Sequence, residues 1–189
     1  MHSATSWISK DSMNFQPLKI PELLVSIPEI HQDERGRFHR SFCENELAKS
    51  GITFQVKQGN LSDNLRMHTL RGFHYQQVPT QEAKLLACVT GAIYNVVLDL
   101  RRKSKTYQQW EGIEISAEKR QTIHVPAGCA NAFLTLEDNT IVHYYMSEFF
   151  VPETYQGIRY NDPFFRVEWP FEPKVISDRD ATFPDYRPD

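Results

Sequence analysis

Arg71 and His74 stand three residues apart in the stretch TLRGFHYQ, residues 69–76, with Gly72 between them and Tyr75 and Gln76 following. These residue types suit proton transfer next to a negative charge. Imidazole titrates near neutral pH and can act as a general base. A guanidinium is always charged and holds anionic oxygens. A lone histidine is more often a satisfied core residue than a catalytic one, so the case rests on what else could join it.

Lys84 opens the next strand-like run, Tyr144 lies in VHYYMS, Asp180 in ISDRDATFP and Arg35 in DERGRF. Each also has an ordinary reading. Arg35 can be a solvated turn residue, Lys84 a strand end, Tyr144 a core tyrosine and Asp180 a turn cap. A metal centre is a poor fit. Metal-binding double-stranded β-helix proteins offer His-x-His and a later histidine, whereas here the matching positions hold His74, Gln76 and Asn131. One imidazole and two amides make a weak set for a transition metal, so no metal is expected.

The elements that must position these groups read as strands. LLVSIPEI (23–30), GRFHRSF (36–42), TFQVKQGNLS (53–62), QWEGIEIS (109–116), QTIHVPAG (121–128), NAFLTLE (131–137) and TIVHYYMSEFF (140–150) are short extended runs. KLLACVTGAIYNVVLDLR (84–101) reads as two strands joined at Thr90-Gly91, a hairpin signal. ENELAKSG (44–51) is the clearest helix, with Gly51 as its stop. Many strands and almost no helix predict an all-β sandwich or barrel. The tail from Pro152, rich in Pro, Asp and aromatics, predicts a long surface loop.

The chain has 189 residues, 40% hydrophobic and 24% charged, with net charge −3. This fits one soluble domain, 16–189, after a polar, flexible leader, 1–15. The charge gives no reason to expect nucleic-acid or membrane binding, although local arginines can still hold a small anion. Three widely spaced cysteines, with no CxxC, argue against a disulfide framework and for a reducing cytoplasm. No apolar run reaches the ~20 residues of a membrane span.

The segments LRGFHYQ, the long run from Lys84 to Gln121, VPAGCANAF, GIRYNDP and EWP…ISDRDA together resemble the dTDP-4-dehydrorhamnose 3,5-epimerase family. The resemblance runs from DERGRF to Pro184. It implies a cupin-like double-stranded β-helix (a jelly-roll sandwich with a few short helices), a homodimer, no cofactor, and a nucleotide-diphospho-4-keto-6-deoxysugar substrate. The implied setting is cell-surface polysaccharide, such as lipopolysaccharide, or secondary-metabolite sugar synthesis. By matching motif, His74 is the implied base, Asp180 its partner and Tyr144 the proton donor on the opposite face. Lys84 and Arg71 hold the enolate and nearby oxygens. Arg35 and Gln58 line the sugar-nucleotide site, and Phe149 lies near the base. The alternatives are inversion of one carbon only, a sugar-nucleotide-binding cupin without catalysis, and a metal-dependent cupin oxygenase.

Two positions depart from the family pattern. The family's GFAHGF has a histidine where this chain has Asn131, which cannot titrate. In GRFHRSF, alternation puts Phe38 and Arg40 on one face, and Arg40 stands where the family commonly has an acidic residue near the nucleobase. Arginine only donates hydrogen bonds. If Arg40 faces the base, CDP or GDP is expected rather than dTDP; if it turns outward, the base is held by other groups.

Overall fold

The computed structural model describes residues 13–188, and the expected leader at 1–12 lies outside them. Met13–Phe15, also expected in the leader, belong instead to strand β1 (Met13–Pro17), which pairs antiparallel with β2 (Leu24–Pro28). A hairpin of β3 (His31–Asp33) and β4 (Gly36–Phe38) and the helix α1 (Glu44–Lys49) follow. Then come β5 (Gln58–Asn64), β6 (Leu70–Gln76), β7 (Lys84–Thr90), β8 (Ala92–Asp99) and β9 (Trp110–Ser116). The chain continues through β10 (Thr122–Val125), β11 (Cys129–Thr135), β12 (Thr140–Met146) and β13 (Tyr155–Gly157) to a short helix, α2 (Asp178–Ala181).

The strands form a six-stranded sheet, β1-β2-β10-β7-β12-β5, and a five-stranded sheet, β13-β6-β11-β8-β9. This is the antiparallel double sheet expected of a cupin-type sandwich. Alternation gives each strand two jobs. On β8, Ile93 and Val97 enter the core with Leu86 and Cys88 of β7 and Val142 of β12, while Val96 and Leu98 face the far side. On β7, Leu85 packs outward under α1 against Leu47, Ile52 and Phe54. Burial of these apolar side chains, at ~25 cal/mol per Å², holds the layers together.

One expectation gives way here, and another in part. Thr90-Gly91 is not a hairpin turn. β7 pairs with β10 and β12, whereas β8 pairs with β11 and β9, so the turn carries the chain from one sheet to the other. The tail is irregular over most of its length, as expected, but it does more than cover the surface. Ile158 and Phe165 are buried in the outer cluster, with Trp169 and Tyr186 packed against it, and β13 adds a strand to the β6 edge.

The glycine in RGFH has a positional cause. Residues three apart on a regular strand face opposite sides. On β6, Asn131 of β11 pairs with His74 and Phe133 pairs with Arg71, so two steps on β11 span three on β6. This bulge adds one residue and restores the phase. Arg71 and His74 therefore face the same side, while Phe73 points into the outer cluster. Gly72 sits at the bulge with φ +118°, and a β-carbon there would lie 2.6 Å from both Cα and Cβ of Ala132.

Gly72→Ala should therefore be far more costly than Gly51→Ala. Gly51 has φ +83° but nothing within 4 Å of an added β-carbon. Urea unfolding should show a loss of about 1–2 kcal/mol for Gly51→Ala from backbone strain, and a further ~1–3 kcal/mol for Gly72→Ala from overpacking. Equal losses would mean that the β6–β11 approach is not tight.

Candidate active site

The bulge turns Arg71 and His74 into a cavity of about 510 Å³ at the mouth between the two sheets, a size that suits a small-molecule ligand. One wall is β6 and β11, bringing Arg71, His74, Asn131 and Phe133. The facing wall is β5, β7 and β12, bringing Gln58, Asn60, Lys84, Leu86 and Tyr144, and Phe150 and Tyr155 close the rim.

His74 is half-buried, and its Nε2 lies 2.8 Å from Oδ1 of Asp180. Asp180 is 5% exposed. Its second oxygen, Oδ2, accepts from the Gly72 N–H at 3.0 Å, so the bulge glycine and the histidine share one carboxylate. The Asp180 N–H in turn donates to Ser177 Oγ, which caps α2. Burial pushes the Asp180 carboxyl upward, but the His74 hydrogen bond and charge and the Gly72 and Ser177 bonds outweigh it, and its pKa lies below the usual value. An ionised Asp180 fixes the Nε2–H tautomer and leaves Nδ1 as the basic nitrogen. Nδ1 has no hydrogen-bond partner among the described residues.

Lys84 is 9% exposed. Its Nζ lies 3.0 Å from Oε1 of Glu82 and donates to the His74 carbonyl at 3.1 Å. Glu82 is itself 4% exposed, and its Oε2 accepts from the Gln76 N–H at 2.9 Å. A buried ammonium is tolerable only when paired, and this pairing uses two of its three donors. The third is available to the cavity that Lys84 lines.

Tyr144 stands on the wall opposite His74. Burial raises its phenol pKa and the nearby Arg71 charge pulls it back, the net direction being upward. It therefore keeps its proton at neutral pH. Tyr155, whose ring lies 5.3 Å from that of His74, is also raised by burial, and the Arg179 guanidinium covers its face at 4.4 Å. Arg71 is aimed by Asn64, whose Oδ1 accepts from Nε at 2.7 Å.

Of the residues singled out from sequence, His74, Lys84, Tyr144, Arg71, Gln58 and Asn131 meet at this cavity, with Asp180 behind His74. Four do not. Arg35 and Phe38 belong to the β3–β4 hairpin, which forms its own cleft, and Arg35 is paired with Asp33. Phe149 is 57% exposed, and its neighbour Phe150 takes the place at the cavity. Arg40 pairs with Glu46 of α1. The strand that was expected to run through Arg40 ends at Phe38, so alternation says nothing about where Arg40 points.

Gln76, the second position of the tested metal pattern, is fully occupied. Its amide donates to the carbonyls of Thr80 and Phe149 and accepts from the Val151 N–H. Among the described residues, no group of three or more His, Cys, Asp or Glu side chains could hold a metal ion, and no helix is long and apolar enough to cross a membrane. Glu82 and Tyr155 went unnoticed in the sequence. Glu82 had a signal, a carboxylate two positions before Lys84 in an extended run, which puts both on one face. Tyr155 had none, because it comes from the irregular tail.

A histidine backed by a carboxylate, a paired lysine and a protonated phenol face one cavity, an arrangement that can move protons at a carbon. The family model described as dTDP-4-dehydrorhamnose 3,5-epimerase matches residues 17–187, and the chain belongs to that family. A dTDP-4-dehydrorhamnose 3,5-epimerase from Methanothermobacter thermautotrophicus is 37% identical over 163 residues, 85% of this chain and 87% of the relative. A dTDP-4-dehydro-6-deoxyglucose 3-epimerase from a Streptomyces species is 36% identical over 171 residues, 89% of this chain and 86% of the relative. The crystal structure of the Bacillus anthracis dTDP-4-dehydrorhamnose 3,5-epimerase with TDP and pyrophosphate bound superposes with a TM-score of 0.89 at 32% identity, covering 93% of this chain and all of that one.

Asp180→Asn tests the pair by pH. A carboxyl with a lowered folded-state pKa adds stability that is complete above its unfolded value of about 3.9 and is lost as pH falls through the folded value. Urea unfolding should show wild type ahead by about 1–3 kcal/mol at pH 7, with the gap closing below about pH 4. A gap that is constant from pH 7 to pH 2 would mean that the Asp180 charge does not stabilise the fold.

Proposed function

We propose that the protein inverts C3 and C5 of a nucleotide-diphospho-4-keto-6-deoxysugar by proton removal and return next to the C4 ketone. The observation that carries this reading is the His74–Asp180 pair facing Tyr144 across the cavity. Nδ1 of His74 takes the proton from the carbon beside the ketone. Asp180 stabilises the imidazolium that forms. Charge moves to the C4 oxygen, where the free N–H of Lys84 meets it. Tyr144 returns a proton from the opposite wall, which inverts the carbon; Tyr144 is then recharged from solvent and His74 releases its proton to solvent, which resets both groups for the second carbon. Arg71 supplies positive charge for nearby substrate oxygens. C3 and C5 both flank C4, so one set of groups serves both. Each proton and each charge in this scheme has a protein group, so the reaction needs no cofactor.

We take the nucleotide to be dTDP, as named for the relatives. The case for CDP or GDP rested on Arg40 facing the base, and its pairing with Glu46 removes that support. We further propose a cytoplasmic homodimer. The β3–β4 hairpin forms a two-stranded sheet of its own and leaves Phe38 63% exposed, which suits an arm that reaches the partner's site.

The experiment is incubation of dTDP-4-keto-6-deoxyglucose with the protein in D₂O, following C3 and C5 by NMR. Wild type should exchange and invert both carbons. His74→Asn should lower exchange by ~10²–10⁴-fold while remaining folded. Tyr144→Phe should keep exchange and release little inverted product. Wild-type exchange rates in folded His74→Asn would overturn the assignment.

A further inference from the structure

Asn131 is 6% exposed and lines the cavity, and it pairs across the ladder with His74. Its Oδ1 is buried with no hydrogen-bond partner among the described residues. A buried acceptor left unpaired carries a desolvation cost that a bound donor can relieve. This atom can be relieved only by a group that brings a hydrogen. A ketone oxygen, a phosphate oxygen or a methyl group cannot.

On the sugar proposed above, the donors near the reacting carbons are the hydroxyls at C2 and C3. The C3 hydroxyl changes its direction when C3 inverts. The C5 methyl also moves, and C4 carries the ketone. The C2 hydroxyl alone keeps its configuration from substrate to product. A group held on rigid β11, beside the base, can keep one contact through both inversions only with that hydroxyl. We propose that Asn131 Oδ1 accepts from the sugar C2 hydroxyl, so that the enzyme selects 4-keto sugars with a free hydroxyl at C2 over their 2-deoxy counterparts. An amide does this without titrating, which leaves proton transfer to His74 and Tyr144. The inference rests on the epimerase reading of this cavity.

The test compares dTDP-4-keto-6-deoxyglucose with its 2-deoxy analogue on wild type and Asn131→Leu, by kcat/KM and by calorimetric binding. Wild type should prefer the parent sugar by at least ~tenfold, because the analogue leaves a buried acceptor unpaired. Asn131→Leu should lose a similar factor on the parent and discriminate between the two sugars by less than about twofold, since each change then removes the same bond. Asn131→Ala, which also has no side-chain acceptor, serves if the leucine variant does not fold, with the same loss of discrimination expected. Equal use and equal binding of both sugars by wild type, or undiminished discrimination in the variants, overturns the proposal. Failure of the epimerase reading is visible separately, as no exchange at C3 or C5 with the parent sugar. In that case the binding comparison still decides the Asn131 contact.

Discussion

The site depends on a single crowded crossing. At Gly72 the β6 backbone comes so close to Ala132 that no β-carbon fits, and the positive φ there inserts one extra residue opposite β11. Without that residue, Arg71 and His74 would lie on opposite faces of the five-stranded sheet. With it, both face the cavity while Phe73 anchors the bulge in the outer apolar cluster. The freed Gly72 N–H then donates to Asp180, the carboxylate that also holds His74. Backbone geometry, core packing and the orientation of the base are thus one arrangement.

Charge is handled by the same economy of partners. Lys84 and Glu82 are both buried, and each alone would be costly. Together they cancel, and the His74 carbonyl and Gln76 N–H take up further hydrogen bonds. The pair ties β7 of one sheet to β6 of the other at the wall of the cavity. The tail contributes as much as the strands do. Ser177 caps the short helix that presents Asp180, and Phe183 and Tyr155 flank the His74 ring. A fixed environment of this kind costs no reorganisation when charge develops.

Much of this was legible in the sequence, for identifiable reasons. The runs 84–101 and 140–150 read as strands from their apolar and β-branched residues, and the structure places strands within them at 84–90, 92–99 and 140–146. The motif match supplied Asp180, which no local pattern could link to a histidine 106 residues away. What failed was non-local or irregular. Thr90-Gly91 reverses the chain whether the flanking strands pair or part, so turn chemistry cannot say which sheet comes next. Alternation was carried past the end of β4, and Arg40 turned instead to Glu46. The tail buries Ile158 and Phe165 without any period to reveal it. The bulge was hidden because a glycine within a strand looks the same before its partner is known.

The central claim is that Asp180 holds His74 as the Nε2–H tautomer and leaves Nδ1 basic. Long-range ¹H–¹⁵N NMR on protein labelled at histidine nitrogen reads this directly. The account predicts, at neutral pH, a His74 ring with a protonated, hydrogen-bonded Nε2 and an unprotonated Nδ1, and loss of that single-tautomer signature in Asp180→Asn. A His74 ring that is protonated at Nδ1, or that populates both tautomers equally in wild type, would contradict it.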